Sequence, residues 1–305
     1  MKFVFYDDFY PGLVKADHVV GISDLLKGQA PQSLLEEFIT GFSHLAPKLK
    51  GALEDRKGVP LRSVRLRPPV PKPKIMLNAV RNNKEGIGLS PTLEFFEKAP
   101  ASIIGPGDTV KLPPDPATVF HHEAELALVI GKETKKAKSD EAMASVFGYT
   151  ATIDVSARGP EVSQRVPGTS TIFPLWKHKS YDTFCPMGPV LVTKDEILNP
   201  HDLNVKLWVS GELRQNYNTA EMAHQIPEII EFTSKENTLS PGDVINCGTN
   251  HQGLGAIQDG DILEIEVEGL GRMSLKVLDP LKRKWLKGID KETAERVKRL
   301  RNIPK

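Results

Sequence analysis

The sequence predicts an α+β protein dominated by strands, and three observations carry that expectation. Gly-Asp pairs at 107–108, 242–243 and 260–261 each launch an extended run: GDTVKL, GDVINC and GDILEIEVEG. Glycine supplies the unusual backbone angle of a turn, and a strand follows it. The last run alternates Leu263, Ile265 and Val267 with Glu264, Glu266 and Glu268, the two-residue period of a half-exposed strand. Helical spacing is confined to a few segments, so the chain lacks the regular strand–helix alternation of a parallel α/β sheet.

Taken in order, MKFVFYDD alternates as a strand, and LLEEFITGFSHLAPKLKGAL repeats apolar residues at the spacing of a helix. RPPVPKPK at 67–74 is proline-rich and stiff, and it sets off residues 1–70 as a small N-terminal α/β domain. KIMLNAV opens a body that runs over 71–280. Within it PTLEFFEKA, SDEAMASVFGY and AHQIPEIIEFTSK carry helical patterns. KLWVSGELRQ turns at Ser210-Gly211 as a hairpin, and GLG at 269–271 folds the last Gly-Asp strand back onto RMSLKVL. Residues 281–305 read as a short helix with basic ends, a solvated tail.

The 305 residues, 39% of them hydrophobic, suffice for a core without staples. The formal net charge of +1 argues against a nucleic-acid or membrane partner. It hides an uneven distribution, since residues 281–305 carry ten Lys/Arg against three Asp/Glu and the rest is mildly acidic. Cys185 and Cys247 lie far apart and outside any CxxC pair, which predicts free thiols in a reducing cytoplasm. MKFVFYDDFYPG has acids within its first ten residues and no long apolar run, so it does not read as a signal peptide. No apolar run approaches the ~20 residues that span a bilayer.

The segment that points to chemistry is FHHEAELALVIGKE, 120–133. Side chains two apart in a strand share a face, so Glu123 and Glu125 point the same way. The run that follows them is apolar on both faces, the mark of a buried strand. Carboxylates at its mouth need compensation, because a buried unpaired charge is costly. A third acid, Asp154, ends the strand-like run in YTATIDVSAR, and Lys179 precedes the proline-bounded turn of HKSYDTFCPMGP. Three hard oxygen donors suit Mg²⁺ or Mn²⁺. HExxH and clustered Cys/His are absent, which disfavours zinc, and so are GxGxxG and the P-loop.

Five segments taken together resemble the fumarylacetoacetate hydrolase family: EAELALVIGK at 123–132, GYTATIDVSAR at 148–158, KSYDTFCPMGP at 179–189, SGELRQ at 210–215 and LSPGDVINCGTN at 239–250. FFEKAPASIIGPGD at 95–108 is similar to the family's opening segment, and the resemblance runs over about 72–280. It implies that family's own β-rich fold, a homodimer, and a Mg²⁺ or Mn²⁺ ion held by Glu123, Glu125 and Asp154. It implies that the ion binds the enol or enolate form of a small 2-oxo carboxylate, as in the catabolism of aromatic compounds. Lys179 would add a positive charge at the substrate. Thr249 and Asn250 would contact it, and Arg158 would either join them or brace Asp154.

The sequence also departs from the family pattern. Where the family has N-Y-x-x-H-x-x-E, this chain has NAVRNNKE: Asn78 and Glu85 match, and Asn82 stands in place of the histidine. Asparagine cannot be a general base. His122, beside the acid pair, and His251, in GTNHQGLG, are the candidates to supply one. The expected function is a metal-dependent hydrolase cleaving a C–C bond of a diketo acid. A lyase or isomerase of the same fold is the alternative: a 2-oxoacid decarboxylase, a 2-keto-3-deoxy sugar-acid dehydratase or a 2-hydroxyhepta-2,4-diene-1,7-dioate isomerase. A binding protein without activity is the third, disfavoured because all three acids are retained.

Overall fold

The computed structural model describes residues 1–85, 92–159, 164–165, 172–173 and 177–295. Strands β1 (Lys2–Tyr6), β2 (Tyr10–Lys15) and β3 (His18–Gly21) form a meander, followed by helix α1 (Pro31–Asp55). Next come β4 (Met76–Ala79), β5 (Phe95–Glu97), β6 (Thr109–Lys111), β7 (Val119–His121) and β8 (Ala124–Ile130). A single turn, α2 (Ser139–Ala142), leads to β9 (Val146–Ile153), β10 (Ser156–Arg158) and β11 (Cys185–Thr193). The hairpin β12 (Asn204–Val209) and β13 (Glu212–Asn218), helix α3 (Ile226–Glu236) and β14 (Val244–Asn246) precede a last hairpin, β15 (Ile262–Val267) and β16 (Gly271–Leu278).

The three Gly-Asp pairs share one device. Gly107, Gly242 and Gly260 have φ of +78°, +87° and +85°. Asp108, Asp243 and Asp261 each accept the backbone N–H three residues earlier, from Gly105, Ser240 and Gln258. The side chain closes the turn and the strand leaves from it. Strands β14, β15 and β6 follow as expected.

The main sheet runs β3-β2-β1-β11-β9-β8-β14-β4-β5. A five-stranded sheet, β13-β12-β15-β16-β6, packs over it. Strand β8 shows why its sequence is apolar on both faces. Leu126, Leu128 and Ile130 join the core shared with the second sheet, including Val205, Leu207, Ile265 and Leu275. Ala127 and Val129 join the other core, beneath α1, with Phe3, Phe5, Leu35 and Phe38. The architecture is mixed α+β with sheets dominant, as the sequence predicts.

Four expectations need correction. The segment 1–70 is not packed apart: β1 pairs with β11, Phe3 opposite Leu191, and α1 covers the main sheet. PTLEFFEKA holds a strand rather than a helix, with Leu77 opposite Glu97 and Lys98 N–H bonded to Met76 O. Its short apolar run fits either period, and pairing with β4 decides it. In SDEAMASVFGY only the first turn is an α-helix, followed by a short 3₁₀ turn, because Val146 onward is buried in β9. The tail is not simply solvated: Arg283 lies 4.8 Å over the Phe120 ring, and Trp285 Nε1–H bonds Thr118 O. A helix starts only after Asp290, whose carboxylate accepts Thr293 N–H at 2.9 Å. Residues 296–305 lie outside the described residues. Among the described residues no helix is long and apolar enough to cross a membrane.

Candidate active site

Strands β8 and β9 pair in antiparallel register, Ala124 opposite Ile153, so Glu123 and Asp154 meet where the ladder ends. Asp154 N–H donates to Glu123 O at 2.7 Å, which pins the two backbones together. The carboxylates of Glu123, Glu125 and Asp154, at most 4% exposed, bring one oxygen each within 4.8 Å of one another. That convergence answers why a buried strand opens with two acids.

Two lysines and an arginine compensate them. Lys179 Nζ donates at 2.7 Å to Glu123 Oε2, Asp154 Oδ2 and Ser156 Oγ. Lys98, fully buried, donates to Asp154 Oδ1 at 2.7 Å and to the Lys179 carbonyl. Arg158 pairs with Glu123 Oε1 and not with Asp154, whose brace is Lys98. Burial pushes the Glu123 carboxyl up, but Lys179 and Arg158 outweigh it and hold the group below its ordinary range. Burial alone would lower Lys179; Asp154 and Glu123 raise it instead. Among the described residues no cation bonds Glu125 directly, and the downward pull of Lys179 is outweighed. Burial, then Asp154 and Glu123 beside it, push its carboxyl well above the usual range, although Gly248 N–H bonds Oε2 at 2.7 Å. A carboxyl that resists ionisation beside two acids is a place where a bound cation would be strongly favoured. The donor set therefore fits a hard divalent ion.

On the facing loop, Gly248 turns with φ +89° and delivers Thr249, Asn250 and His251. His251 Nδ1 lies 2.6 Å from Glu85 Oε1, which also accepts the His251 backbone N–H at 3.0 Å. Glu85 Oε2 accepts from Gln252 Nε2 at 2.7 Å. Glu85 and His251 are 6% and 9% exposed, so the pair is largely shielded from bulk solvent. Gly248 N–H on the same loop bonds Glu125 Oε2 at 2.7 Å, which ties the loop carrying the pair to the acid cluster.

The other expected residues fall as follows. His122 is fully buried, donates Nδ1–H to Gln215 Oε1 at 3.0 Å, and is pushed down to about 3 by burial. It is held neutral and enclosed, which makes it the less suited of the two candidate histidines to serve as base. Thr249 spends its hydroxyl proton on Ala124 O at 2.8 Å. Asn250 holds Asn83 Oδ1 at 3.3 Å and Gln252 N–H at 2.8 Å. Asn82 is bound to backbone only: its amide donates to His224 O at 3.0 Å and Cys247 O at 2.9 Å, and its oxygen accepts His224 N–H at 2.7 Å. It stitches two loops together. Lys98, Ser156 and Gln215 were given no role by the sequence reading; each lies in a quoted motif, but nothing in one dimension shows its partner.

Comparisons with known proteins follow the same lines. The family model described as fumarylacetoacetate (FAA) hydrolase C-terminal matches residues 75–278. A mitochondrial oxaloacetate tautomerase from Xenopus laevis is 40% identical over 191 residues, covering 60% of this chain and only 57% of that protein. Maleylpyruvate hydrolase from Sphingobium sp. SYK-6 has a TM-score of 0.82 at 33% identity, covering 92% of this chain and 100% of that one. A second structure of that hydrolase is a complex with manganese(II) and pyruvate. A 5-carboxymethyl-2-hydroxymuconate delta-isomerase from Mycobacterium smegmatis is 31% identical with a TM-score of 0.71, covering 92% and 100%.

Proposed function

The chain belongs to the fumarylacetoacetate hydrolase family, and from that premise we propose that it is a divalent-metal-dependent enzyme that hydrolyses a C–C bond of a small diketo carboxylate. The observation that carries the reading is the His251–Glu85 pair beside three convergent acids. Glu123, Glu125 and Asp154 would hold Mg²⁺ or Mn²⁺; the named manganese and pyruvate complex of the maleylpyruvate hydrolase supports this. When bound, such an ion supplies Lewis-acid stabilisation of a ketone oxygen on which charge grows.

The charge count favours an anionic substrate. Once a bound cation ionises Glu125, the acids Glu123, Glu125 and Asp154 are matched in charge by Lys98, Lys179 and Arg158. A divalent ion leaves a surplus that a substrate carboxylate and its developing negative charge offset. Lys179 keeps a fixed positive charge at the site. Glu85 takes the Nδ1–H of His251, which leaves Nε2 free to remove a proton from water. The resulting hydroxide attacks the carbonyl, the C–C bond breaks, and its electron pair leaves with the 2-oxo acid fragment. His251 returns the proton to that fragment.

A tautomerase or isomerase is the second reading, favoured by the 40% identity to the oxaloacetate tautomerase. The same pair would then move a proton between two atoms of one substrate. A homodimer in the cytoplasm completes the proposal; free, buried Cys185 and Cys247 suit a reducing setting.

Metal-loaded protein, wild type and His251→Ala, should be incubated with acylpyruvates, oxaloacetate and 2-keto-3-deoxy acids, and the products read by NMR. Two acids, lost in the variant, support the hydrolase. An isomer, carbon dioxide or a dehydrated keto acid without cleavage rejects it.

A further inference from the structure

Gln215, on β13 of the second sheet and 1% exposed, uses every hydrogen-bonding position of its amide at the edge of the site. Oε1 accepts Ala124 N–H at 3.0 Å and His122 Nδ1 at 3.0 Å. Nε2 donates to Thr249 Oγ1 at 2.8 Å and to Asn250 O at 2.7 Å. The orientation of the amide is fixed by chemistry: a backbone N–H can only donate and a carbonyl can only accept. His122 must therefore carry its proton on Nδ1.

These bonds close a ring. Ala124 N–H donates to Gln215, Gln215 donates to Thr249, and Thr249 Oγ1 donates back to Ala124 O at 2.8 Å. Tyr217, two residues along β13, adds its O–H to the same carbonyl at 2.7 Å. Ala124 is the residue between Glu123 and Glu125, and Asn250 immediately precedes His251. One side chain thus holds the peptide that aims two acids and the loop that aims the base.

We propose that Gln215 is the positioning residue that sets the acid cluster and the His251–Glu85 pair in register. The inference rests on the function proposed above. Its physical ground is that catalysis is sensitive to misplacements of about 1 Å, while a saturated buried amide network has one low-energy arrangement. The two halves of the amide have separate duties: the oxygen orients the acid strand, and the nitrogen orients the loop.

Two variants separate those duties. Gln215→Leu removes all four bonds. Gln215→Glu keeps an acceptor for Ala124 N–H and His122 but cannot donate to Thr249 or Asn250. Manganese(II) binding is followed by electron paramagnetic resonance, and hydrogen exchange is followed at the backbone amides of His251 and Gln252. In the leucine variant Mn²⁺ affinity should fall by about 10- to 100-fold, the effect of losing support behind ligands, and both amides should exchange faster. In the glutamate variant the amides should again exchange faster while Mn²⁺ affinity does not fall. A folded leucine variant with wild-type exchange and wild-type affinity overturns the proposal. If that variant does not fold, wild-type exchange in the glutamate variant overturns it instead. Wild-type protein that fails to bind Mn²⁺ sinks the proposed function, and loop exchange alone then decides the role of Gln215.

Discussion

Glu85→Gln separates charge from geometry at the proposed acid–base pair. Glu85 Oε1 accepts two bonds from His251, one from the ring at 2.6 Å and one from the backbone at 3.0 Å. A glutamine oxygen can accept both, and Gln252 keeps its bond by turning its amide so that its oxygen accepts from the new Nε2, so the loop should keep its place. What disappears is the negative charge that stabilises the ring once it has taken a proton. A hydrogen bond to a charged group contributes about 1.5–3 kcal/mol, so with the ring nearly buried a loss of 2–3 kcal/mol lowers kcat roughly 30- to 150-fold. The assay is steady-state turnover on the substrate found by product screening, with Mn²⁺ affinity and a thermal melt measured on the same protein. KM, Mn²⁺ affinity and Tm should hold near wild type. Unchanged kcat would refute the pair as an acid–base unit. A fall in kcat matched by an equal fall in Mn²⁺ affinity would show that Glu85 acts through the acid cluster instead.

His251→Ala should lower turnover by about 10²- to 10⁴-fold with Mn²⁺ affinity retained, and wild-type turnover would dismiss His251 as base. Glu125→Gln should abolish Mn²⁺ binding in a folded protein, since Glu125 holds no lysine. Asp154→Asn should also destabilise the fold by about 3–5 kcal/mol, because it strands buried Lys98 and takes one of the two acids from Lys179; equal melting of the two variants would contradict that division. Asn82→His should not improve turnover and should cost roughly 2–4 kcal/mol in urea titration. Imidazole cannot donate to both His224 O and Cys247 O while accepting His224 N–H; a stable, faster variant is the refuting result. Asp290 is held below the usual carboxylate range by its His121 contact, against the upward push of burial, with Thr293 adding to the depression. A depressed pKa means stability present above about pH 4 and lost as pH falls below it. Asp290→Asn, which keeps an oxygen to cap the helix at Thr293 N–H, should therefore flatten the acid limb of the stability curve; an unchanged acid limb would count against the contact.

The sequence made the acids legible because strand periodicity is local: i and i+2 share a face, and an apolar run announces its burial. The Gly-Asp turns were legible for the same reason. The compensating charges were not. Lys98 reaches Asp154 across 56 residues, and its segment fits helix and strand periods equally until β4 pairs with it. His122 and His251 look alike in one dimension, and only three-dimensional neighbours separate them: Gln215 and full burial for one, Glu85 for the other. The proline-rich stretch suggests a linker because prolines interrupt ladders, yet Leu66–Arg67, overlapping its first residue, pairs with β1, which no composition reveals.

That continuity between the N-terminal strands and the main sheet bears on how the protein could be shortened. The family model begins at residue 75, which invites a cut there. Such a cut would uncover the rim of β11 where Lys2 faces Val192 and Phe3 faces Leu191. It would also lift α1 from Met76, Ala127, Val129 and Val244. A trimmed chain would display an unpaired β-strand beside a bare greasy plate, the template on which one copy recruits the next. The first seventy residues are the cover of that edge and that plate, and any shortened version should be sought in the precipitate before it is sought in solution.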